Sequence, residues 1–298
     1  MVLSFSKMQG AGNDFIIIDN RQTGYRQSQL QQIARRVCQR KISVGSDALM
    51  VVDHPTDARQ ADLRMRFFNA DGSEAEMCGN GARCLARYAY EHKIAGESMV
   101  IETMAGFVPA WRLSQRKYKV QLNPPSAYET DLPVATLAQT GELPFLKDIA
   151  FVDYVALGEP AIPHLVVHLP LLTRIADLSQ LKPLAQALRH WSRLPKGANV
   201  NFFALPDSSE EPVLVRTYER GVEDFTLACG TGSGSVAYAL VQRGLATSGP
   251  DQPVALAVPG GLLEVEVTGP TLNLMGDTNL VVQGQICDED LVIAKSEP

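Results

Sequence analysis

The 298-residue chain is sparing with several residue types, having 5 cysteines, 5 histidines and 2 tryptophans. So few cysteines, in an odd number, exclude a disulfide framework and fit the reduced thiols of a cytosol. Basic residues are not in excess: 27 Lys and Arg stand against 33 Asp and Glu, leaving a formal charge of −6. That excludes the cationic surface a nucleic-acid partner needs. No apolar run approaches the ~18 residues of a membrane span, so no membrane partner is expected. The opening MVLSFSKMQGAGNDF lacks the apolar core and small-residue cleavage site of a secretory signal. What is present, 45% hydrophobic and 20% charged residues, describes an ordinary folded globule. At roughly 150 residues per domain, the length suggests two domains, each able to bury a sizeable core.

The two halves resemble each other. CGNGARCLARYA begins at Cys78 and CGTGSGSVAYAL at Cys229, 151 residues later. Nine residues before each cysteine a strand-like run ends: LRMRFFN at Asn69 and LVRTYER at Arg220. GNDFIIID at 12–19 and IPHLVVHL at 162–169 match more loosely. A glycine-rich helix start, an equal spacer and an equivalent strand point to two copies of one α+β unit. Runs rich in Val, Ile and Phe read as strands at Phe15–Asp19, Leu63–Asn69, Ser98–Thr103 and Tyr118–Leu122. In the second half they are Leu165–His168, Val200–Ala204, Val213–Glu219, Val254–Val258 and Leu262–Thr268. After each Cys-Gly-x-Gly the period shifts to that of a helix: Ala82, Leu85, Ala86, Ala89 and Tyr90 follow i, i+3, i+4, i+7, i+8 spacing. Each helix is expected to be amphipathic and mostly buried in its own sheet. The Pro- and Thr-rich stretch from Asn123 to Pro144 holds the boundary, giving units at 1–124 and 125–274. The C-terminal 275–298 is expected to rejoin the first.

A thiol at a helix N-terminus meets unpaired N–H groups and the positive end of the helix dipole, which favour a thiolate. The glycines beside it leave backbone N–H groups open to an oxyanion. A lone nucleophile would need a base, and no histidine lies near either cysteine in sequence. Two equivalent thiols suit racemisation instead: a thiolate takes the proton from one face of a Cα while a thiol delivers one to the other. A helix end supplies up to ~2 kcal/mol, about 1.5 pK units. That is far too little to match an amino-acid α-proton to a thiol, so the site should also close and exclude water. Nothing suggests a cofactor as electron sink. Cys78 and Cys84, six apart, lack metal-ligand spacing, so no metal is expected. Cys38, Cys84 and Cys287 are read as small buried hydrophobes.

FSKMQGAGNDFIIID, FNADGSEAEMCGNGARC, GANVNFF and YERGVEDFTLACGTGSG, in that order and spacing, resemble the signature blocks of the diaminopimelate epimerases over roughly residues 3 to 285. The resemblance implies two pseudo-symmetric α+β domains, each a mostly antiparallel sheet wrapped around a central helix. It implies a cofactor-independent isomerase that interconverts LL- and meso-2,6-diaminopimelate for lysine and peptidoglycan precursors. Cys78 and Cys229 match that family's acid/base pair. Gly79, Asn80, Gly230 and Thr231 match the positions whose backbone holds the reacting carboxylate. Asn13, Asn69, Asn199, Glu219 and Arg220 match substrate-contacting positions. The residue types suit a substrate with a second amino-acid head: Arg220 with amides from Asn69 and Asn199 for its carboxylate, Glu219 for its ammonium.

Three departures bear on specificity. The family often has Gly-Asn-Pro-His where this chain runs from Gly158 to His164, placing Ile162 or Glu159 at the usual Asn. Ala48 stands where Gln is common and Phe225 where Glu is frequent. The nearest alternative is a cofactor-free racemase of another amino acid, such as proline or histidine; Glu219, Arg220, Asn69 and Asn199 argue against it. A non-catalytic amino-acid-binding protein and a thiol redox switch are the readings from other classes. A small molecule is the expected partner, the cytoplasm the expected location, and a homodimer is left open.

Overall fold

The computed structural model describes residues 3–140, 143–208 and 210–291. The chain divides into two compact units, residues 1–120 with 276–298 and residues 121–275. Residues 1–2, 141–142, 209 and 292–298 of the ranges expected from sequence lie outside the described residues.

The first unit begins with a hairpin of β1 (Leu3–Gly10) and β2 (Asn13–Asp19). Gly10 pairs with Asn13 across the two-residue turn Ala11-Gly12. Both turn residues have positive φ, 51° and 90°, the conformation that matches the twist of a hairpin and that Gly12 adopts without strain. Then follow α1 (Gln27–Val37), β3 (Ala48–Asp53), β4 (Leu63–Asn69), β5 (Glu74–Ala75), α2 (Gly79–Glu91), β6 (Ser98–Thr103), β7 (Gly106–Arg112) and β8 (Lys117–Leu122). β3 pairs parallel to β2 and antiparallel to β4, and β6 runs parallel to β4 and antiparallel to β7. In the second unit come β9 (Pro125–Glu129), β10 (Phe151–Leu157), β11 (Ile162–His168), α3 (Lys182–Arg189), β12 (Asn199–Ala204), β13 (Val213–Glu219) and β14 (Asp224–Phe225). They are followed by α4 (Gly230–Gln242), β15 (Val254–Val258), β16 (Gly261–Thr268) and β17 (Thr271–Asp277). The same succession of ladders recurs: β12 is parallel to β11 and antiparallel to β13, while β15 is parallel to β13 and antiparallel to β16. Each unit is thus a mixed sheet with few helices. The last strand, β18 (Asn279–Ile286), pairs antiparallel with β1.

Period-two alternation explains the central strands. In β3, Leu49 and Val51 join Leu30, Ile33, Ala34 and Val37 of α1 in one core. The intervening Met50 turns to the other face, where a Cβ on Gly81 of α2 would lie 2.8 Å from its sulfur. A strand covered on both faces reads as a continuous apolar run, and ALMVV is one. β12 is built alike: Val200, Phe202 and Ala204 join the core with Leu184, Ala185 and Leu188 of α3. Each Val, Leu, Ile or Phe among them, fully buried, contributes roughly 1.5–3 kcal/mol.

Two sequence expectations need correction. α2 is not two-faced: every residue from Gly79 to Ala89 is buried, Arg83 and Arg87 included, and only Tyr90 and Glu91 reach water. The helix is packed by β1, β2, β3, β6 and β7, so its arginines have no solvent face. The stretch between Asn123 and Pro144 holds β9, paired with β10, and a 3-10 turn at Val134–Thr140. Cys38 and Cys84 are buried as expected, but Cys287 is exposed, just past the end of β18.

Candidate active site

Cys78 and Cys229 occupy the same local position, the N-cap of a 13-residue helix. Both have extended backbone, with φ/ψ of −129°/119° and −117°/115°. Each carbonyl accepts the first helical bond, from Ala82 N–H at 2.8 Å and from Ser233 N–H at 2.9 Å. The side chains therefore stand at the end where N–H groups converge and the helix dipole is positive. Cys229 Sγ accepts the Gly232 N–H at 3.4 Å and lies 3.5 Å from Thr231 Oγ1. Cys229 is 9% exposed; Cys78 is more open. Cys84, enclosed one turn and a half along α2, is pushed up to about 12 by burial, which makes it an inert thiol.

Glycines let the helices seat closely. Beside Gly81 lie Met50 and Phe15; beside Gly232 lies Asn201, whose Oδ1 would be 2.2 Å from an added Cβ. Asn201 is wholly buried, donating to Leu165 O at 3.0 Å and accepting from Thr217 Oγ1 at 3.0 Å. Its Nδ2 also lies 3.3 Å from His164 Nδ1. Burial, with Arg220 adding to it, pulls His164 down to about 3, so its ring is neutral at any ordinary pH.

The first unit gathers Asn13 and Asn80: the Asn80 amide, 1% exposed, donates to Asn13 Oδ1 at 2.7 Å. Asn13 is held at the hairpin turn by a charged network. Lys7 and Arg40 reach Asp14 at 3.0 and 2.6 Å, and the backbone N–H groups of Asp14 and Asp47 each donate to the other's carboxylate. Burial raises the Asp14 carboxyl, but hydrogen bonds from Arg40 and Lys7 outweigh it and hold it below its ordinary range. Asn69 ends β4 opposite Ala48 and uses its amide on Ser73 Oγ at 2.9 Å. Gly79 and Gly230 are the first helical residues behind the two cysteines, with Thr231 next.

In the second unit Asn199 Oδ1 accepts the Arg220 N–H at 2.9 Å, and its amide lies 3.4 Å from Pro163 O. The Arg220 guanidinium reaches Lys196 O at 3.5 Å. Glu219 accepts from Thr226 Oγ1. Phe225 packs edge-on against Tyr218 at 5.5 Å and near Phe202 at 6.1 Å, so it serves the core where a carboxylate would have offered charge. Among the described residues no group of His, Cys, Asp and Glu is arranged to hold a metal ion. Nor is any helix there long and apolar enough to cross a membrane.

Two buried polar residues are not picked out by the sequence patterns: Arg83 in the second turn of α2, and Asn201 in β12 beneath the start of α4. Each carries a signal in the sequence: a charge between the apolar Ala82 and Leu85 of the helix, and an amide in the middle of the strand Asn199–Ala204.

The fold is shared with solved structures of proteins named as a racemase, an epimerase and an isomerase. A hydroxyproline epimerase from Agrobacterium vitis superposes with a TM-score of 0.66 at 13% identity, covering 95% of this chain and 90% of that one. A phenazine biosynthesis protein of the PhzF family from Enterococcus faecalis gives 0.63 at 16% identity, covering 96% and 99%. Sequence narrows the class. The family described as diaminopimelate epimerase matches residues 5–127 and 159–281. Diaminopimelate epimerases of Methanothrix thermoacetophila and Aquifex aeolicus are each 37% identical over 97% of this chain, covering 98% and 99% of those proteins. One from Pseudomonas fluorescens is 32% identical over 96% of this chain. The chain belongs to the diaminopimelate epimerase family, a family of isomerases.

Proposed function

We propose that the protein epimerises LL-2,6-diaminopimelate to the meso isomer, without a cofactor, using Cys78 and Cys229 as its acid/base pair. The observation that carries the reading is the placement of both cysteines at N-caps of matched helices in a chain that belongs to this family over nearly its full length. One thiolate removes the α-proton and the opposite thiol returns one to the other face, so each turnover exchanges their protonation states. The backbone N–H groups at Gly79, Asn80, Gly230 and Thr231 hold the reacting carboxylate, into which the carbanion's charge runs. Asn13, Asn69, Asn199, Glu219 and Arg220 hold the distal amino-acid head, with Arg220 for the carboxylate and Glu219 for the ammonium.

The two units are duplicates, each a sheet wrapped on its own buried helix, and the enzyme works in the cytoplasm in lysine and peptidoglycan precursor synthesis. A homodimer is compatible with this reading. The test is incubation of LL-diaminopimelate with the protein in heavy water. Appearance of meso isomer with deuterium at Cα is expected. No exchange with diaminopimelate, but exchange with proline or another amino acid, would move the assignment to a different racemase.

A further inference from the structure

Arg83 is the largest fully enclosed side chain of the described residues, with no measurable exposure. Its Nη2 donates to Asn80 Oδ1 at 2.9 Å, while Nε and Nη1 have no hydrogen-bond partner among the described residues. A buried cation so thinly paired is costly, and a neutral side chain would pack there at lower cost. Its neighbourhood lies within the first unit: an added Cβ on Gly10 would meet Asn80 O at 3.1 Å, Cys84 Sγ at 3.2 Å and Arg83 Nη2 at 3.7 Å. Burial pulls its guanidinium down to about 10, with Cys84, Cys78 and Asp277 acting the other way, so it is still cationic at neutral pH.

A cationic guanidinium has donors only, whereas an asparagine amide can turn either end toward a partner. Facing Arg83, Asn80 must present its carbonyl oxygen. Its NH2 is then directed to Asn13, at 2.7 Å from Asn13 Oδ1. With its own oxygen engaged, Asn13 is left presenting NH2, which is 3.4 Å from Asp47 Oδ2, a long contact to a carboxylate already taken by Arg40 and Asp14. We propose that Arg83 is a positioning residue that sets the polarity of an Asn80–Asn13 amide relay, so that Asn13 meets the substrate as a hydrogen-bond donor to a carboxylate. The second unit has no such relay, because Gly234 stands at the position matching Arg83 and Leu122 Cδ1 would be 2.6 Å from a Cβ there.

The substrate half of this proposal rests on the epimerase reading; the relay does not. Neutron diffraction on the unaltered protein distinguishes amide nitrogen from oxygen. Asn80 with its oxygen toward Arg83 and its Nδ2 toward Asn13 is expected, and the reverse orientation would overturn the relay whatever the activity. Kinetics with diaminopimelate then tests the consequence. Arg83→Met is expected to raise KM roughly 10- to 100-fold, the loss typical of a hydrogen bond to a charged group, with a smaller change in kcat. Arg83→Lys, still donor-only, should recover most of that loss. In an Asn13→Ala background Arg83→Met should change KM less than about twofold, because the relay's output is gone. An equal penalty in both backgrounds, or a folded Lys variant as impaired as the Met variant, would make Arg83 purely structural. If Arg83→Met does not fold, the Lys variant and the neutron orientation still decide.

Discussion

Beneath the start of α2 and of α4 the strands keep the same pairings and carry opposite chemistry. Phe15 pairs with Ala48, and Met50 with Phe67, in the first unit. The matching places in the second hold His164 beside Asn199, and Asn201 beside Thr217. Phe15 and Phe67 meet edge to face at 6.2 Å. Their counterparts form a buried hydrogen-bonded cluster instead. Polarity reappears in the first unit on a different part of the helix, as Arg83, Asn80 and Asn13. A repeated backbone fixes where each thiol stands; the residues beneath and beside it differ, so the two cysteines sit in unlike surroundings.

The largest effect should ignore that difference. Cys78→Ala and Cys229→Ala are each expected to lower kcat by a factor of about 10³ or more, since proton transfer alone contributes about 10²–10⁴ and the proposed mechanism uses each thiol as acid or base in turn. Turnover measured as deuterium uptake checks this. Retained activity in either variant would mean that only one unit does chemistry.

The equivalence of the helices was legible in the sequence because glycine spacing and strand ends are local patterns. Leu63–Asn69, Ser98–Thr103, Val213–Glu219 and Val254–Val258 match observed strands to the residue. The unlike supports were not legible. Met50 and Asn201 become counterparts only through sheet register, which a single sequence does not display. Nor could periodicity say that Arg83 is enclosed, because the elements covering that face of α2 come from strands on both sides of it in sequence. β3 was passed over for a related reason: ALMVV has no alternation to mark it as a strand. Residue type alone does not place Cys287, which lies exposed just past the end of β18.

The far ends of the two helices also differ, and stability should expose it. At the end of α4, Arg243 bridges the wholly buried Asp153 at 2.5 Å and lies 3.8 Å from the Phe151 ring. Tyr128 and the Asp131 N–H complete the carboxylate's partners at 3.0 and 3.1 Å. At the end of α2, His92 stacks on Tyr88 at 3.9 Å and is exposed. Asp153→Ala is therefore expected to cost about 3 kcal/mol, since it removes the buried carboxylate and leaves Arg243 paired with the exposed Asp131. His92→Ala should cost about 1 kcal/mol or less. Amide hydrogen exchange in β9 and β10 locates the first loss, which thermal melting alone would blur in a two-unit chain.

The histidine under α4 gives the comparison a pH signature. His164 titrates near 6.5 in the unfolded chain and near 3 when folded. Below about pH 6.5 the unfolded state binds a proton that the native state refuses. Its contribution is complete above that value and is lost as pH falls toward 3, at up to about 1.4 kcal/mol per pH unit. Between pH 6.5 and 4.5, denaturant unfolding should show the unaltered protein losing about 2–3 kcal/mol more than His164→Gln. Parallel curves would mean that the ring takes up its proton in the folded state too. Phe15 at the matching place offers the first unit no such dependence.

The smallest effect is the most direct test of the unlike supports, because the same substitution is made at matching glycines. An alanine at 232 would drive its Cβ against Asn201 Oδ1, an atom held by Thr217 and backed by the Leu165 carbonyl on the same amide. Relief requires breaking hydrogen bonds in a buried cluster, so Gly232→Ala is expected to cost about 1–3 kcal/mol. An alanine at 81 meets Met50 Sδ, on an unbranched side chain that can change rotamer. The better helix propensity of alanine, worth about 1 kcal/mol, offsets that shift, and Gly81→Ala should melt within a few degrees of the unaltered protein. Equal penalties at both positions would show that close helix seating alone matters there. A larger penalty at 81 would reverse the assignment of the rigid support to the second unit.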